Sequence, residues 1–195
     1  MEKKIFLLAT ALLVVVLSCL SAQEREISAS QFSSLCRRAT ELMDLYGTMP
    51  SAIPLDGSEG PQRESITAAE FCFLMASWLV HYQENGCPPR TVHPIRGIEA
   101  PSFVETGKKA AVSAQEIFSV SRILHLFVET HRKLPDRVRL TQEIDLSPEA
   151  WFYVMGKAIG HYSSCGSFPA EITLKEIDPP DRKSTRLNSS HVSQS

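Results

Sequence analysis

Ser147-Pro148-Glu149-Ala150-Trp151-Phe152-Tyr153-Val154-Met155-Gly156-Lys157-Ala158-Ile159-Gly160-His161-Tyr162-Ser163-Ser164-Cys165-Gly166 decides the fold. A hydroxyl that can cap a helix comes first. Large and small apolar residues follow at three-and-four spacing: Trp151, Val154, Met155, Ala158 and Ile159. A glycine closes the stretch. Cap, amphipathic stripe and left-handed terminator together predict one helix. Eighty positions earlier the chain repeats itself, with Thr67 as cap, then Phe71, Leu74, Met75, Trp78 and Leu79, then Gly86. Met75 meets Met155, His81-Tyr82 meets His161-Tyr162, and Pro89 meets Pro169.

Upstream the repeat continues at an offset of 85, the first unit having a longer loop. Ser28 matches Ser113, Arg37 matches Arg122, and Met49-Pro50 matches Leu134-Pro135. Each serine is a cap, with Gln31 or Glu116 three residues on. Helices are predicted from these caps to about Tyr46 and His131. Phe32, Leu35, Ala39, Leu42, Met43 and Tyr46 form one apolar stripe, and Ile117, Val120, Leu124, Phe127 and Val128 the other. The Pro-led segments after them cannot continue a helix, and alternating Val138/Leu140 predicts a short strand. Pro54 marks its first-unit counterpart as an edge or extended piece. Further extended pieces start at Pro89 and Pro169. The fold class predicted is mainly α with short β segments (α+β), as two tandem helix–strand–helix–strand repeats. Unit one spans 23–94, a linker 95–111 and unit two 112–180.

The ordered set Leu134-Pro135-Asp136-Arg137-Val138-Arg139-Leu140, then Trp151-Phe152-Tyr153-Val154-Met155-Gly156-Lys157-Ala158-Ile159, resembles the pseudomurein-binding repeat family. Unit one carries it more loosely through Met49-Pro50-Ser51-Ala52-Ile53-Pro54-Leu55 and Phe71-Cys72-Phe73-Leu74-Met75-Ala76. The resemblance covers most of residues 27–177. It implies non-catalytic attachment to a cell-wall polymer, pseudomurein or one like peptidoglycan.

Both ends read differently. Lys3 and Lys4, the apolar run 5–17 and small residues to Ala22 make 1–22 a secretory signal, with an exported, surface-exposed or periplasmic protein as its consequence. Val16-Leu17-Ser18-Cys19 also resembles a lipoprotein box, so Cys19 is a candidate lipidation site and a route to membrane anchorage. Residues 181–191 translate a common sequencing adapter residue for residue. The tail 181–195 is therefore expected to be artefactual or a disordered polar segment, and the chain a fragment.

The whole chain carries a net charge of −2; the leader holds +1 and the tail +2, leaving −5 for the body. An acidic body argues against a nucleic-acid partner. Cys36, Cys72, Cys87 and Cys165 follow the leader; no C-x-x-C spacing occurs, so neither zinc nor any other cofactor is expected. Cys36 and Cys72 sit in apolar helical patterns as buried thiols. Ser28, Thr67, Ser113 and Ser147 are caps, not nucleophiles. No Gly-x-Ser-x-Gly elbow, phosphate loop or repeated carboxylate pair appears, so no enzyme is expected within this fragment.

The candidate binding residues are His81, Tyr82, His161, Tyr162, Pro135, Arg137 and Tyr153. The paired histidines can present hydrogen bonds to a sugar or peptide; the plainer reading is a helix-end histidine bonding a carbonyl. Trp78 and Trp151 can stack on sugars, but their place on the apolar stripe favours core packing. Two alternatives stand beside wall binding. One is the targeting region of a truncated secreted wall-active enzyme, such as a polysaccharide-modifying hydrolase. The other is a self-associating structural surface module.

Overall fold

A computed structural model describes residues 26–55, 64–101, 111–140 and 145–174. The leader with Cys19 and the tail lie outside the described residues. The fold is mainly α with short antiparallel strand pairs. Unit one runs β1 (Ile27–Ser28), α1 (Ala29–Tyr46), β2 (Ala52–Pro54), β3 (Ser65–Thr67), α2 (Ala68–Asn85) and β4 (Thr91–Val92). Unit two runs β5 (Ala111–Ser113), α3 (Ala114–His131), β6 (Val138–Arg139), β7 (Asp145–Leu146), α4 (Pro148–Cys165) and β8 (Glu171–Thr173).

All four caps act as their residue types require. Ser28, Thr67 and Ser113 each accept the backbone N–H of the third helical residue, and Gln31, Glu70 and Glu116 reach back to complete the box. Ser147 caps alone, with Pro148 opening the helix. Gly47, Gly86 and Gly166 end their helices at φ near +70°, where a missing Cβ removes the clash. The fourth end breaks the pattern: Arg132, the counterpart of Gly47, holds φ 54°.

Each helix is also preceded by a short strand that the helix–strand–helix–strand reading lacks. β1 pairs with β4 and β5 with β8, so each unit is closed by its own two ends. β2 pairs with β3 and β6 with β7. Strands of two or three residues carry no alternation to read, and three of them end in the residue that caps the next helix. Pro54 sits at the end of its strand opposite Ser65, where its missing N–H costs least.

The most extensive helix packing runs across the units. α1 lies along α4, α3 lies along α2, and α2 and α4 meet between them. Burial follows that order: α2 and α4 bury eleven and ten residues, against seven and five for α1 and α3. Tyr82 and its own counterpart Tyr162 touch, ring centroids 4.9 Å apart. Only residues beside a two-fold axis meet their own copies, so the duplication is folded as a pseudo-two-fold pair around one core. Phe32, Phe71, Phe152, Trp151, Met75 and Met155 fill that core. The described part of the linker is tied down as well. Glu70 accepts from Gly97 N at 2.9 Å, and Glu99 bridges to residues 132–134 of unit two.

Candidate functional site

Where α1 crosses α4, Gly156 removes a side chain that would keep the helices apart, while the backbone at Gly160 leaves room for a Cβ. A Cβ on Gly156 would lie 2.6 Å from Thr40 Cγ2, and one on Gly160 3.6 Å from Arg37 Cβ. Beside this crossing opens a groove of about 530 Å³, lined among others by Arg37, Thr40, Tyr153, Lys157, His161 and Glu171. A second groove of about 420 Å³ opens between α3 and α2, with Arg122, His125, Leu126, Ser77, Val80 and His81 on its walls.

The two grooves are the same place in the two copies. Seven of the eight residues lining the second match residues lining the first, and the eighth, Glu129, matches Asp44. Of those seven pairs only two keep their residue: Arg37 with Arg122, and His161 with His81. Every groove thus combines an arginine from one unit's first helix with a histidine from the other unit's second helix. Val80 in place of Gly160 narrows the second groove.

The first groove has an organised polar floor. Tyr153 is buried, and its hydroxyl donates to Asp44 Oδ1 at 2.7 Å; Lys157 Nζ reaches Asp44 Oδ2 at 2.5 Å. Burial, then the bond to Asp44, pushes the Tyr153 hydroxyl well above the ordinary phenol range. His161 Nδ1 lies 2.8 Å from Ser167 O. A carbonyl only accepts, so Nδ1 carries the proton and Nε2 is left for a ligand. Arg37 has only a loose 3.9 Å contact with Glu41, both side chains more than half exposed. Such a pair is worth at most a few tenths of a kcal/mol. In the second groove His125 stacks on Phe73 and faces Glu129 at 3.6 Å.

The candidate residues therefore separate. His161 and Tyr153 share the first groove, and His81 lies in the second. Tyr82 and Tyr162 sit together on the axis with Trp78, Phe118 and Phe168. A hydrogen bond to Tyr82, with burial second, raises the Tyr162 phenol above its usual range. Pro135 and Arg137 line neither groove; Arg137 and Arg139 both pair with Asp145 Oδ2 at 3.3 Å across the β6–β7 hairpin. Trp78 and Trp151 are buried. Arg37, Arg122, Lys157, Asp44 and His125 belong to the site but were not among the candidates. The Arg37–Arg122 match was the one visible signal, and without knowing that α1 meets α4 it had no partner.

Cys36 and Cys72 are buried thiols, pushed up in pKa by burial. Among the described residues no group of three or more His, Cys, Asp or Glu side chains could hold a metal ion, and no helix is long and apolar enough to cross a membrane. No protein-family model matches the chain, and no curated protein matches it.

Proposed function

We propose that this protein is an exported, non-catalytic binding module for a cell-wall polymer of the pseudomurein or peptidoglycan kind. The observation that carries the reading is the twin groove. A surface presented twice by one rigid body suits a ligand that itself repeats, and a wall polymer repeats. The Leu134-Pro135 segment and the aromatic helix of unit two, matched more loosely by Met49-Pro50 and Phe71–Ala76 in unit one, support the same reading through their likeness to pseudomurein-binding repeats.

The test is retention of the chain on purified murein sacculi, pseudomurein sacculi and an unrelated polysaccharide. Selective retention on one wall polymer is the expected result. Equal retention on all three, or none, removes the reading.

One observation favours a second reading, self-association. Leu45 and Tyr46, at the end of α1, are 76% and 72% exposed, with Leu42 beside them. Apolar side chains so placed suit a contact between copies. Sedimentation at high concentration decides it: a strict monomer removes self-association.

A further inference from the structure

We infer that the two grooves are equivalent sites for carboxylate groups of the wall polymer, so that each molecule attaches at two points. The inference rests on the wall-binding reading and adds the chemistry that the grooves recognise.

Duplicated units diverge freely where nothing holds them. Around the grooves they have done so: Thr40 corresponds to His125, Glu41 to Leu126, Lys157 to Ser77, Gly160 to Val80 and Ser164 to Glu84. Among the positions that line both grooves, only the arginine and the histidine stay the same, and they come from different units. Helix packing does not require this pair. The Arg37 atoms nearest a Cβ built on Gly160 are its Cβ, Cα and N, atoms that any residue but glycine supplies at that position. What an arginine adds is the guanidinium.

That guanidinium is uncommitted. Among the described residues the side chains of Arg122 and His81 make no hydrogen bond or ion pair, and the Arg37 side chain has only its loose contact with Glu41. By contrast Lys157, Arg137 and Arg139 are all paired with carboxylates. A free guanidinium presents forked donors that match the two oxygens of a carboxylate. His161 Nε2, with Nδ1 held by Ser167, adds a point that takes a neighbouring hydroxyl or, when protonated, an oxyanion. Each groove is large enough for a sugar ring or a short peptide arm. Acidic neighbours in both grooves, Glu41 and Glu171 in one and Glu84 and Glu129 in the other, disfavour densely charged anions. One arginine per groove fits a singly charged group.

The experiment uses the full chain, Arg37→Gln, Arg122→Gln, the double variant and the Arg37→Lys/Arg122→Lys double. Each is applied to native murein and pseudomurein sacculi, to sacculi with amidated carboxylates and to sacculi stripped of phosphate. Because two-point attachment multiplies affinity, each single Gln variant should lose at least about tenfold in retention. The double Gln variant should fall to background with its melting temperature unchanged, and the Lys double should keep part of the retention. Amidated wall should fail to retain the wild type, and phosphate-stripped wall should retain it.

In parallel, the imidazole NMR signals of His81 and His161 are followed as a short peptide bearing a single carboxylate is added. Both should move in the wild type, and only one in each single variant. Equal retention on native and amidated wall, loss on phosphate-stripped wall alone, or a double Gln variant that binds like wild type overturns the inference while wall binding stands. If no wall retains the protein, the wall-binding reading fails. The histidine signals then decide the grooves separately: movement of both keeps the carboxylate sites, and no movement up to about millimolar peptide overturns them.

Discussion

Gly156 and Gly160 lie one turn apart on α4, and the crossing with α1 predicts opposite fates for them. A Cβ at Gly156 would sit 2.6 Å from Thr40 Cγ2, with Cys36 O and Met75 Sδ at 3.5 Å behind. Ordinary carbon–carbon contact needs about 3.5–4.0 Å, so the helices or Thr40 must move by about 1 Å. Thr40 is buried, and its hydroxyl donates to Arg37 O at 2.9 Å, so rotating its side chain costs that bond. Overpacking of this kind costs about 1–3 kcal/mol. Alanine returns about 1 kcal/mol of helix propensity, leaving Gly156→Ala destabilised by about 1 kcal/mol. At Gly160 the nearest atom is 3.6 Å away, an ordinary contact. Gly160→Ala therefore keeps the propensity gain and is stabilised by about 1 kcal/mol. The two variants should differ by about 6 °C in melting temperature, at about 3 °C per kcal/mol for a chain of this size. Circular-dichroism melts and urea titrations measure both. Adding Thr40→Ala to Gly156→Ala removes the clashing methyl and should recover about 1 kcal/mol or more as coupling between the sites. Shifts of the same sign and size for both glycines, or no coupling to Thr40, would refute the crossing.

Three smaller effects follow from other parts of the structure. Arg132→Gly should raise the melting temperature by about 3 °C, because a non-glycine residue at φ 54° costs about 1 kcal/mol. Tyr153→Phe should cost about 1 kcal/mol through loss of the bond to Asp44, read by urea titration. Burial raises the Glu149 carboxyl above its usual pKa, against the pull of its backbone hydrogen bond and Ser147. A raised folded-state pKa favours folding below the ordinary value and loses that benefit as pH climbs through the folded one. The melting-temperature advantage of Glu149→Gln over wild type should therefore be larger at about pH 7 than at about pH 4; a gap that grows on acidification would contradict the assignment.

Much of the fold was legible residue by residue. Ser28, Thr67, Ser113 and Ser147 start their helices as expected, and the first helices end at Tyr46 and His131. Those signals are local, set by a cap hydroxyl, a spacing or a glycine. The short strands were not legible in full, since two or three residues such as Asp145–Leu146 show no period. The partner of each helix was not legible either. An apolar stripe such as Phe32–Leu35–Ala39–Met43 says that a face is buried but not against what, and contacts such as Tyr153 to Asp44 span more than a hundred residues. For the same reason nothing in the sequence set the candidate residues Tyr82 and Tyr162 against each other, although the axis brings them together. Arg37 and Arg122 were matched in the duplication, yet only the α1–α4 and α2–α3 pairings turn that match into a site.

The central claim is that the two units complete each other, each first helix finding its partner in the other unit. Expressing residues 26–101 and 111–174 separately and then mixing them tests it most directly. Each half alone should melt without a cooperative transition or assemble into homodimers, and the mixture should form a one-to-one complex with a cooperative melt. Two halves that each fold as stable monomers and ignore one another would contradict the account.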